Sequence, residues 1–304
     1  MRTLQLKSHA KINIGLLVLQ KRNDGFHDIA TVYQQIDFCD ILRFKKTAGD
    51  VKIIASCPDL PLDHENLASK AFRLLKNTLG LTEGLEIHIE KNIPMGGGLG
   101  GGSSNAAMTL AASNELWDHP FTINELREMS SAVGSDVPFF LLGGTALGQG
   151  RGEILESLHW PNNYWIVLVC PGVSVSTAWA YQQSKIALTN EEKISKFRSI
   201  FQNFDPHVLR TAVVNDLEDV VFQRHPELLQ IKEQLYDGDA FYAGMSGIGS
   251  TMFGLFHDQS AAETMRMFFS KQRGMTAFLS RPVFIQPWKE IVSTSSSEMI
   301  GKTG

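Results

Sequence analysis

The spacing of hydrophobic and polar residues along the chain predicts a mixed α/β protein. Residues that alternate between apolar and polar, or that form short apolar runs, predict strands. In the first part of the chain these strands cover residues 4–19 (with a break around 8–10), 27–44, 51–55, 85–90, 143–149 and 164–170. Further strands are predicted on each side of residues 243–251 and near Phe278 and Phe284. Apolar residues three or four positions apart predict helices over residues 64–79, 106–117, 122–133, most of 185–236, and 261–272. Asp63 and Gly80 are the expected caps of the first helix.

A glycine-rich stretch joins a predicted strand to a predicted helix. It reads PMGGGLGGGSSNAA over residues 94–107, and between Gly96 and Gly102 only Leu99 carries a side chain. Glycines allow positive φ angles and close approach of the backbone to a ligand. Successive backbone N–H groups, together with the positive end of a helix, bind anions. This layout predicts a phosphate-binding loop rather than a flexible linker.

Two well-known phosphate motifs fit this stretch poorly. Gly96, Gly98 and Gly101 match the dinucleotide pattern G-x-G-x-x-G, but six glycines in a short window match many patterns by chance. The acidic residues at a suitable distance, Glu115 and Asp118, stand at the end of a helix instead of a strand. A Walker P-loop is excluded because no lysine follows the glycines. The remaining interpretation is a glycine loop closed by paired serines.

Several other residues fit either a site or a purely structural role. Lys11 and Asn13 share one face of an apolar strand, which also fits an edge strand with a solvated lysine. Phe26 and His27 follow a tight turn, where they could read a flat ring or simply staple the hairpin. Asp136 precedes Val-Pro-Phe-Phe and is either a helix N-cap or a functional acid.

Composition limits the possible functions. The 304 residues suffice for one large or two ordinary domains, and the net charge of -4 argues against a general nucleic-acid binder. Cys39, Cys57 and Cys170 are widely spaced and odd in number, which fits free thiols better than disulfides or a zinc site. The longest apolar run, residues 164–170, is too short to cross a membrane, and no signal peptide is evident. We therefore expect a cytoplasmic protein.

Taken together, the motifs resemble those of the GHMP kinases, a family that includes galactokinase, homoserine kinase and mevalonate kinase. The family's phosphate loop, P-x-G-x-G-L-G-[GS]-S-S-x-A, matches residues 94–106 in a form that is longer by one glycine. Four further motifs follow the family's order: H-A-K-I-N-I-G-L at 9–16, D-G-F-H at 24–27, G-S-D-V-P at 134–138 and M-S-G-I-G-S-T at 245–251. The D-G-F-H motif is characteristic of a cytidyl-binding branch. His9 replaces the family's proline, and Phe26 replaces the commoner tyrosine, which leaves any contact of that hydroxyl in doubt.

The resemblance implies an α/β (α+β) protein with the two-domain GHMP kinase fold. Residues 1–160 would form an ATP-binding domain like domain 2 of ribosomal protein S5. Residues 161–291 would form a ferredoxin-like, helix-covered antiparallel sheet, and residues 292–304 a flexible tail. The active site would lie between the two domains.

The resemblance also implies roles for individual residues. Asp136 would be the catalytic base, with Lys11 near the reacting phosphate. Asn13 and Thr177 would contact the substrate. Phe26 and Tyr181 would stack on the two faces of its cytosine, and His27 would hydrogen-bond the edge of that base. The residues implied in ATP binding are Asn66 near the adenine, Pro94, Met95, Gly96, Gly97, Gly98, Leu99, Gly100, Gly101, Gly102, Ser103, Ser104, Gly247 and Gly249. Either serine could reach Mg²⁺, and Ser104 is taken as the metal ligand.

The activity implied is transfer of the γ-phosphoryl group of ATP, with Mg²⁺, to a cytidyl diphosphate alcohol used in isoprenoid biosynthesis. The protein would be a monomer or homodimer with no nucleic-acid or membrane partner. One alternative is a GHMP kinase for another small alcohol, such as homoserine or a mevalonate derivative. Another is a non-catalytic nucleotide-binding regulator, which separation of Lys11 from Asp136 would favour.

Overall fold

Two sheets and the helices packed on them make up the described part of the chain. The structure is a computed structural model that describes residues 2–184, 191–284 and 286–294. The elements of the first half are β1 (Thr3–Lys21), β2 (His27–Ala48), β3 (Lys52–Ala55), α1 (Leu67–Leu79), β4 (Glu83–Glu90), α2 (Gly101–Leu116), α3 (Ile123–Ser130), α4 (Val137–Leu142), β5 (Thr145–Gln149) and β6 (Ile154–Ser157). Those of the second half are β7 (Trp165–Cys170), α5 (Thr177–Gln183), α6 (Glu191–Gln202), α7 (Pro206–Ala212), α8 (Glu218–Arg224), α9 (Pro226–Asp237), β8 (Tyr242–Met245), β9 (Met252–Phe256), α10 (Gln259–Ser270), β10 (Thr276–Ser280) and β11 (Val292–Thr294).

The first sheet is built on β1 and β2, which pair antiparallel along most of their length. Its seven strands follow the order β11-β1-β2-β4-β3, with β5 and β6 extending from β2. The break predicted around residues 8–10 is a bulge, because the register shifts between His9 and Ala10 while β1 continues. Lys11 lies just after this bulge and is only 4% exposed. The interpretation of Lys11 as a solvated edge residue is therefore wrong.

Helix α2 lies at the centre of the first core. It packs against α1, α4, β1 and β2, and all but a few of its residues are buried. Its side chains are mostly small, which lets neighbouring backbones approach from several sides. Phe44 of β2, Phe72 of α1 and Leu110 of α2 belong to the same buried cluster. The glycine loop is therefore followed by a helix that is firmly held on several sides.

The helix caps follow the sequence with one exception. Thr122 and Glu125 form the expected capping box at the start of α3, and Gly80 ends α1 with a φ of +64°. The N-cap of α1 is Asn66, whose Oδ1 accepts from the backbone N–H of Ala68 at 2.9 Å. The prediction of Asp63 as this cap is wrong.

The second sheet is antiparallel, with the strand order β10-β7-β9-β8. Helices α9 and α10 pack against it. Apolar side chains of β7 and β9 also share a buried cluster with Ile12 and Ile14 of β1. The helices predicted over residues 185–236 are confirmed as four separate helices from residue 191 onward, while residues 185–190 lie outside the described part.

Two predictions for the end of the chain are wrong. Phe284 belongs to no strand. Val292–Thr294, predicted as part of a flexible tail, forms β11 and pairs with residues 3–5 of β1, whereas residues 295–304 lie outside the described part. The last strand of the described part therefore joins the first sheet. Among the helices of the described ranges, none is both long enough and apolar enough to cross a bilayer.

Candidate active site

The two glycine loops touch each other, and residues of both line a cavity of about 680 Å³. The first loop comprises residues 94–102, and the second comprises residues 246–251. The predicted site residues that line this cavity are Lys11, Asn13, Asn66, Pro94, Met95, Gly96, Gly97, Gly98, Leu99, Gly100, Gly101, Gly102, Ser103, Asp136, Thr177, Tyr181 and Gly247. Phe26, His27, Ser104 and Gly249 are not among the described residues that line it.

The first loop depends on glycine for its backbone conformation. Gly96, Gly98 and Gly100 have φ angles of +72°, +78° and +69°, which residues with a Cβ atom rarely adopt. Gly98 also touches the second loop, because a Cβ atom there would lie 2.1 Å from the carbonyl oxygen of Ser246. Helix α2 begins at Gly101 rather than at the predicted residue 106, so the predicted loop residues 101–105 belong to its first turns. The loop and the positive end of α2 therefore line the same cavity.

Lys11 connects the first strand to the first loop. Its backbone N–H donates to Leu99 O at 3.0 Å, and its ammonium donates to Gly98 O at 2.8 Å and to Asn13 Oδ1 at 2.6 Å. The ammonium lies 3.5 Å from Asp136 Oδ2. Three acceptors thus surround a group with three N–H donors, which is the geometry of a protonated lysine.

The carboxylate of Asp136 is directed at the cavity residues and not at the helix it precedes. Asp136 stands at the N-cap position of α4 but makes no side-chain capping bond. Its Oδ1 accepts from the hydroxyl of Tyr33 at 3.0 Å, and its Oδ2 faces Lys11. The interpretation of Asp136 as a mere N-cap is therefore wrong. Separation of Lys11 from Asp136, which would have favoured a non-catalytic regulator, is not found.

Tyr33 is a site residue that the sequence analysis missed. It lines the cavity and lies opposite Asn13 in the pairing of β1 with β2. The residue stands in an ordinary stretch of alternating strand sequence, between Val32 and Gln34. No motif singles it out, so only the pairing with Asn13, which carries a predicted role, could have suggested it.

The two serines of the loop differ in accessibility. Ser104 is 1% exposed, and its hydroxyl lies 2.8 Å from that of the buried Ser8. Ser103 is partly exposed and lines the cavity. Ser104, the predicted Mg²⁺ ligand, is therefore buried against Ser8, whereas the hydroxyl of Ser103 is accessible from the cavity. Within the described ranges, no cluster of three or more His, Cys, Asp or Glu residues could hold a metal ion.

Asn66 lines the cavity, but its side-chain amide is already engaged. Oδ1 caps α1, and Nδ2 donates to Pro61 O at 2.6 Å. Recognition of adenine through this amide would have to compete with both bonds.

The aromatic residues predicted to hold a cytosine are arranged differently from the expectation. The rings of His27 and Tyr181 are stacked, with centroids 5.0 Å apart and planes 14° apart. Phe26 is 53% exposed and lies under the Arg151 guanidinium, 5.2 Å from its ring centroid. Tyr181 thus faces His27 and not Phe26. His27 Nε2 is buried and has no hydrogen-bond partner within the described part of the chain.

A side chain between α7 and α8 holds the second glycine loop through two hydrogen bonds. Asn215 donates through Nδ2 to Met245 O at 3.0 Å and to Gly247 O at 2.7 Å. Gly247 lines the cavity, whereas the space next to Gly249 is filled by Met245, whose sulfur would lie 2.6 Å from a Cβ atom there. Of the two glycines predicted to face the ligand, the structure places only Gly247 on the cavity wall.

Two family models match the chain at the parts that build this site. The model for the GHMP kinases N terminal domain matches residues 66–144, which hold the first loop and Asp136. The model for the GHMP kinases C terminal region matches residues 193–272, which hold the second loop. The chain belongs to the GHMP kinase family, and it is an ATP-dependent kinase of a small molecule.

The similar proteins differ in how much their similarity indicates about the substrate. The 4-diphosphocytidyl-2-C-methyl-D-erythritol kinase of Bacillus cereus (strain B4264) is 41% identical over 258 residues, which are 84% of this chain and 89% of that protein. A crystal structure of 4-(cytidine 5'-diphospho)-2C-methyl-D-erythritol kinase is 30% identical, with a TM-score of 0.73, and covers 91% of this chain and 98% of its own. The homoserine kinase of Cytophaga hutchinsonii has a TM-score of 0.76 at only 18% identity, covering 95% of this chain and 97% of its own. The fold alone therefore does not distinguish the acceptor alcohol.

Proposed function

We infer that this kinase transfers the γ-phosphoryl group of ATP to the 2-hydroxyl of 4-diphosphocytidyl-2-C-methyl-D-erythritol, a step of isoprenoid biosynthesis. The observation that carries the inference is the pairing of Lys11 with Asp136, 3.5 Å apart, on the wall of the cavity that the phosphate loop lines. The 41% identical relative of the same name supports the choice of substrate.

Different residues of the cavity have different roles in phosphoryl transfer. Such transfer needs mainly positioning and charge stabilisation from the protein. Backbone N–H groups of the first loop and of α2 bind the phosphates of ATP. Asp136 accepts the proton of the attacking hydroxyl, and the Lys11 ammonium orients that hydroxyl and offsets the charge of the transferred group.

The residues of this site fit a Mg²⁺ ion that binds together with the triphosphate of ATP. Mg²⁺ prefers oxygen ligands and is commonly held by one or two protein oxygens together with substrate phosphates. The accessible hydroxyl of Ser103 in the first turn of α2 is an oxygen of this kind. When bound, Mg²⁺ would neutralise part of the phosphate charge.

The pairing of His27 with Tyr181 suits recognition of a nucleobase. Tyr181 lines the cavity, as does Thr177 at the start of the same helix α5, and Phe26, next to His27 in the sequence, is 53% exposed. A buried ring nitrogen without a partner, such as His27 Nε2, is costly unless a ligand supplies one. A cytosine edge offers both donors and acceptors to such a nitrogen. Mevalonate and homoserine carry no base.

We expect turnover to fall on the alkaline side at a lower pH than an ordinary lysine would produce. Burial lowers the pKa of the Lys11 ammonium, and the Asp136 carboxylate acts in the opposite direction. Since the mechanism needs the protonated form, kcat decreases as the pH rises through this lowered pKa. The measurement is kcat from about pH 7 to about pH 10.5, the upper limit being close to the ordinary lysine pKa.

Two variants test the origin of this alkaline fall. Lys11→Arg keeps a charge throughout the range and should move the fall to higher pH, whereas Lys11→Met should leave a low rate without it. The assignment fails if all three proteins lose activity at the same pH.

The function is tested by ADP release with three acceptors: the cytidyl-methylerythritol substrate, mevalonate and homoserine. We expect release with the first only. A Tyr181→Leu variant should raise KM for that acceptor and leave KM for ATP unchanged, because Tyr181 belongs to the base site and not to the phosphate loops. Turnover of homoserine or mevalonate alone would replace the proposed substrate, and binding of ATP without turnover of any alcohol would contradict kinase activity towards these acceptors.

A further inference from the structure

We propose that Tyr33 is a positioning residue for the catalytic base, and that its hydroxyl determines which carboxylate oxygen of Asp136 receives the proton. The inference rests on the proposed function, in which Asp136 is that base. Tyr33 lies in the middle of β2 and is only 1% exposed. Its hydroxyl donates to one carboxylate oxygen of Asp136, while the Lys11 ammonium faces the other.

The contacts of Asp136 distinguish its two oxygens. Oδ1 accepts from the Tyr33 hydroxyl at 3.0 Å, while Oδ2 faces the Lys11 ammonium at 3.5 Å. The same ammonium lies 5.6 Å from the centroid of the Tyr33 ring, so the three groups form one cluster. Since the Tyr33 hydroxyl takes one acceptor site of Oδ1, we expect the proton of an alcohol placed beside Lys11 to go to Oδ2, the oxygen that faces that ammonium.

The Tyr33 ring is held in a place that two glycines leave open. A Cβ atom at Gly148 would lie 2.4 Å from Tyr33 Cε2, and one at Gly152 would lie 2.1 Å from the hydroxyl. On another side, the ring packs against Phe139 with centroids 4.9 Å apart. Gly148 and Gly152 therefore make room for this tyrosine. A ring confined in this way holds its hydroxyl in a defined direction.

The hydroxyl remains a donor throughout the working pH range. Burial, followed by the charge of Asp136, raises the pKa of Tyr33 well above its ordinary value. A neutral hydroxyl that donates to a carboxylate makes a charge-assisted bond, which is stronger than a bond between neutral groups. Tyr33 can therefore orient Asp136 without competing for the proton that the reaction releases.

Tyr33→Phe removes the hydroxyl and keeps the ring. We expect kcat to fall about ten-fold, the size expected from one lost hydrogen bond to a charged group, with KM for ATP and for the alcohol unchanged. The matched control is Tyr164→Phe. Tyr164 is also 1% exposed, and its hydroxyl donates to Gln34 at 3.2 Å, but it does not line the cavity, so kcat should stay at the wild-type value. Thermal unfolding of both variants tests whether the protein still folds.

A double-mutant cycle distinguishes positioning from a general structural role. If Tyr33 acts through Asp136, Tyr33→Phe should have no further effect on kcat in an Asp136→Asn background. The proposal is overturned if Tyr33→Phe leaves kcat unchanged, or if it lowers kcat by the same factor in both backgrounds. The cycle is run with whichever alcohol the wild-type enzyme phosphorylates, so a different substrate would overturn the proposed function and not this one.

Discussion

Asp136→Asn should lower kcat by roughly 10²–10⁴-fold, the usual contribution of a general base, while ATP and the cytidyl substrate still bind. The reason is geometric and chemical. An amide has almost the same shape as the carboxylate and can still accept from Tyr33 through Oδ1. It cannot take a proton from an alcohol, and it presents a donor to the Lys11 ammonium where Oδ2 now lies. Steady-state ADP release gives kcat, and titration calorimetry gives the two affinities.

Asp216→Asn is a matched control for this loss of charge. Asp216 is 24% exposed and pairs with Lys193 at 3.3 Å, close to the 30% exposure and 3.5 Å of Asp136 with Lys11. Asp216 does not line the cavity at the glycine loops, so its replacement should leave kcat near the wild-type value. Full turnover in Asp136→Asn, or equal losses in both variants, would remove Asp136 from the mechanism.

Gly98→Ala should destabilise the enzyme even in the absence of nucleotide. Alanine at a φ of +78° costs about 1–2 kcal/mol in itself. The added Cβ would also lie 2.1 Å from the carbonyl oxygen of Ser246, a backbone atom that cannot move without shifting the second loop. We expect a total loss of at least about 3 kcal/mol, measured as the free energy of unfolding in denaturant without ATP. KM for ATP should rise as well, because the two loops can no longer approach each other.

Gly96→Ala separates the two causes of this loss. Gly96 has a similar φ of +72°, but a Cβ atom there would meet nothing within 4 Å. Its substitution should therefore cost only the 1–2 kcal/mol of the backbone conformation, roughly. If the two alanine variants lose the same free energy of unfolding, the contact between the loops contributes nothing to stability.

Local sequence patterns predicted the structure best where the interacting residues lie within one short stretch of the chain. Gly80 as the C-cap of α1 and the capping box of Thr122 with Glu125 are confirmed because a cap depends on residues a few positions apart. The phosphate loop was recognisable for the same reason, since seven residues with one side chain among them serve few other purposes. Asp63 was predicted as a cap in place of Asn66, an error of the kind expected when several polar residues stand close together.

The errors at the site concern contacts between distant segments. Ser103 and Ser104 are equivalent in sequence, but the second is turned towards Ser8 on β1. Tyr181 was expected opposite Phe26 and instead stacks on His27. β11 was expected as flexible tail because its own sequence has little to bury, and it gains its structure by pairing with β1. None of these pairings leaves a periodic signal within one segment.

By itself, the sequence determined most of the strands and helices, the phosphate loop, and through five ordered motifs the family. These properties depend on neighbours along the chain, where side-chain periodicity and backbone freedom act directly. Only the tertiary structure decided which groups meet: Lys11 and Asp136, 125 positions apart, and Tyr33, whose hydroxyl donates to Asp136. Such meetings follow from the register of β1 with β2 and from the space that Gly148 and Gly152 leave, and neither can be read from one stretch of sequence.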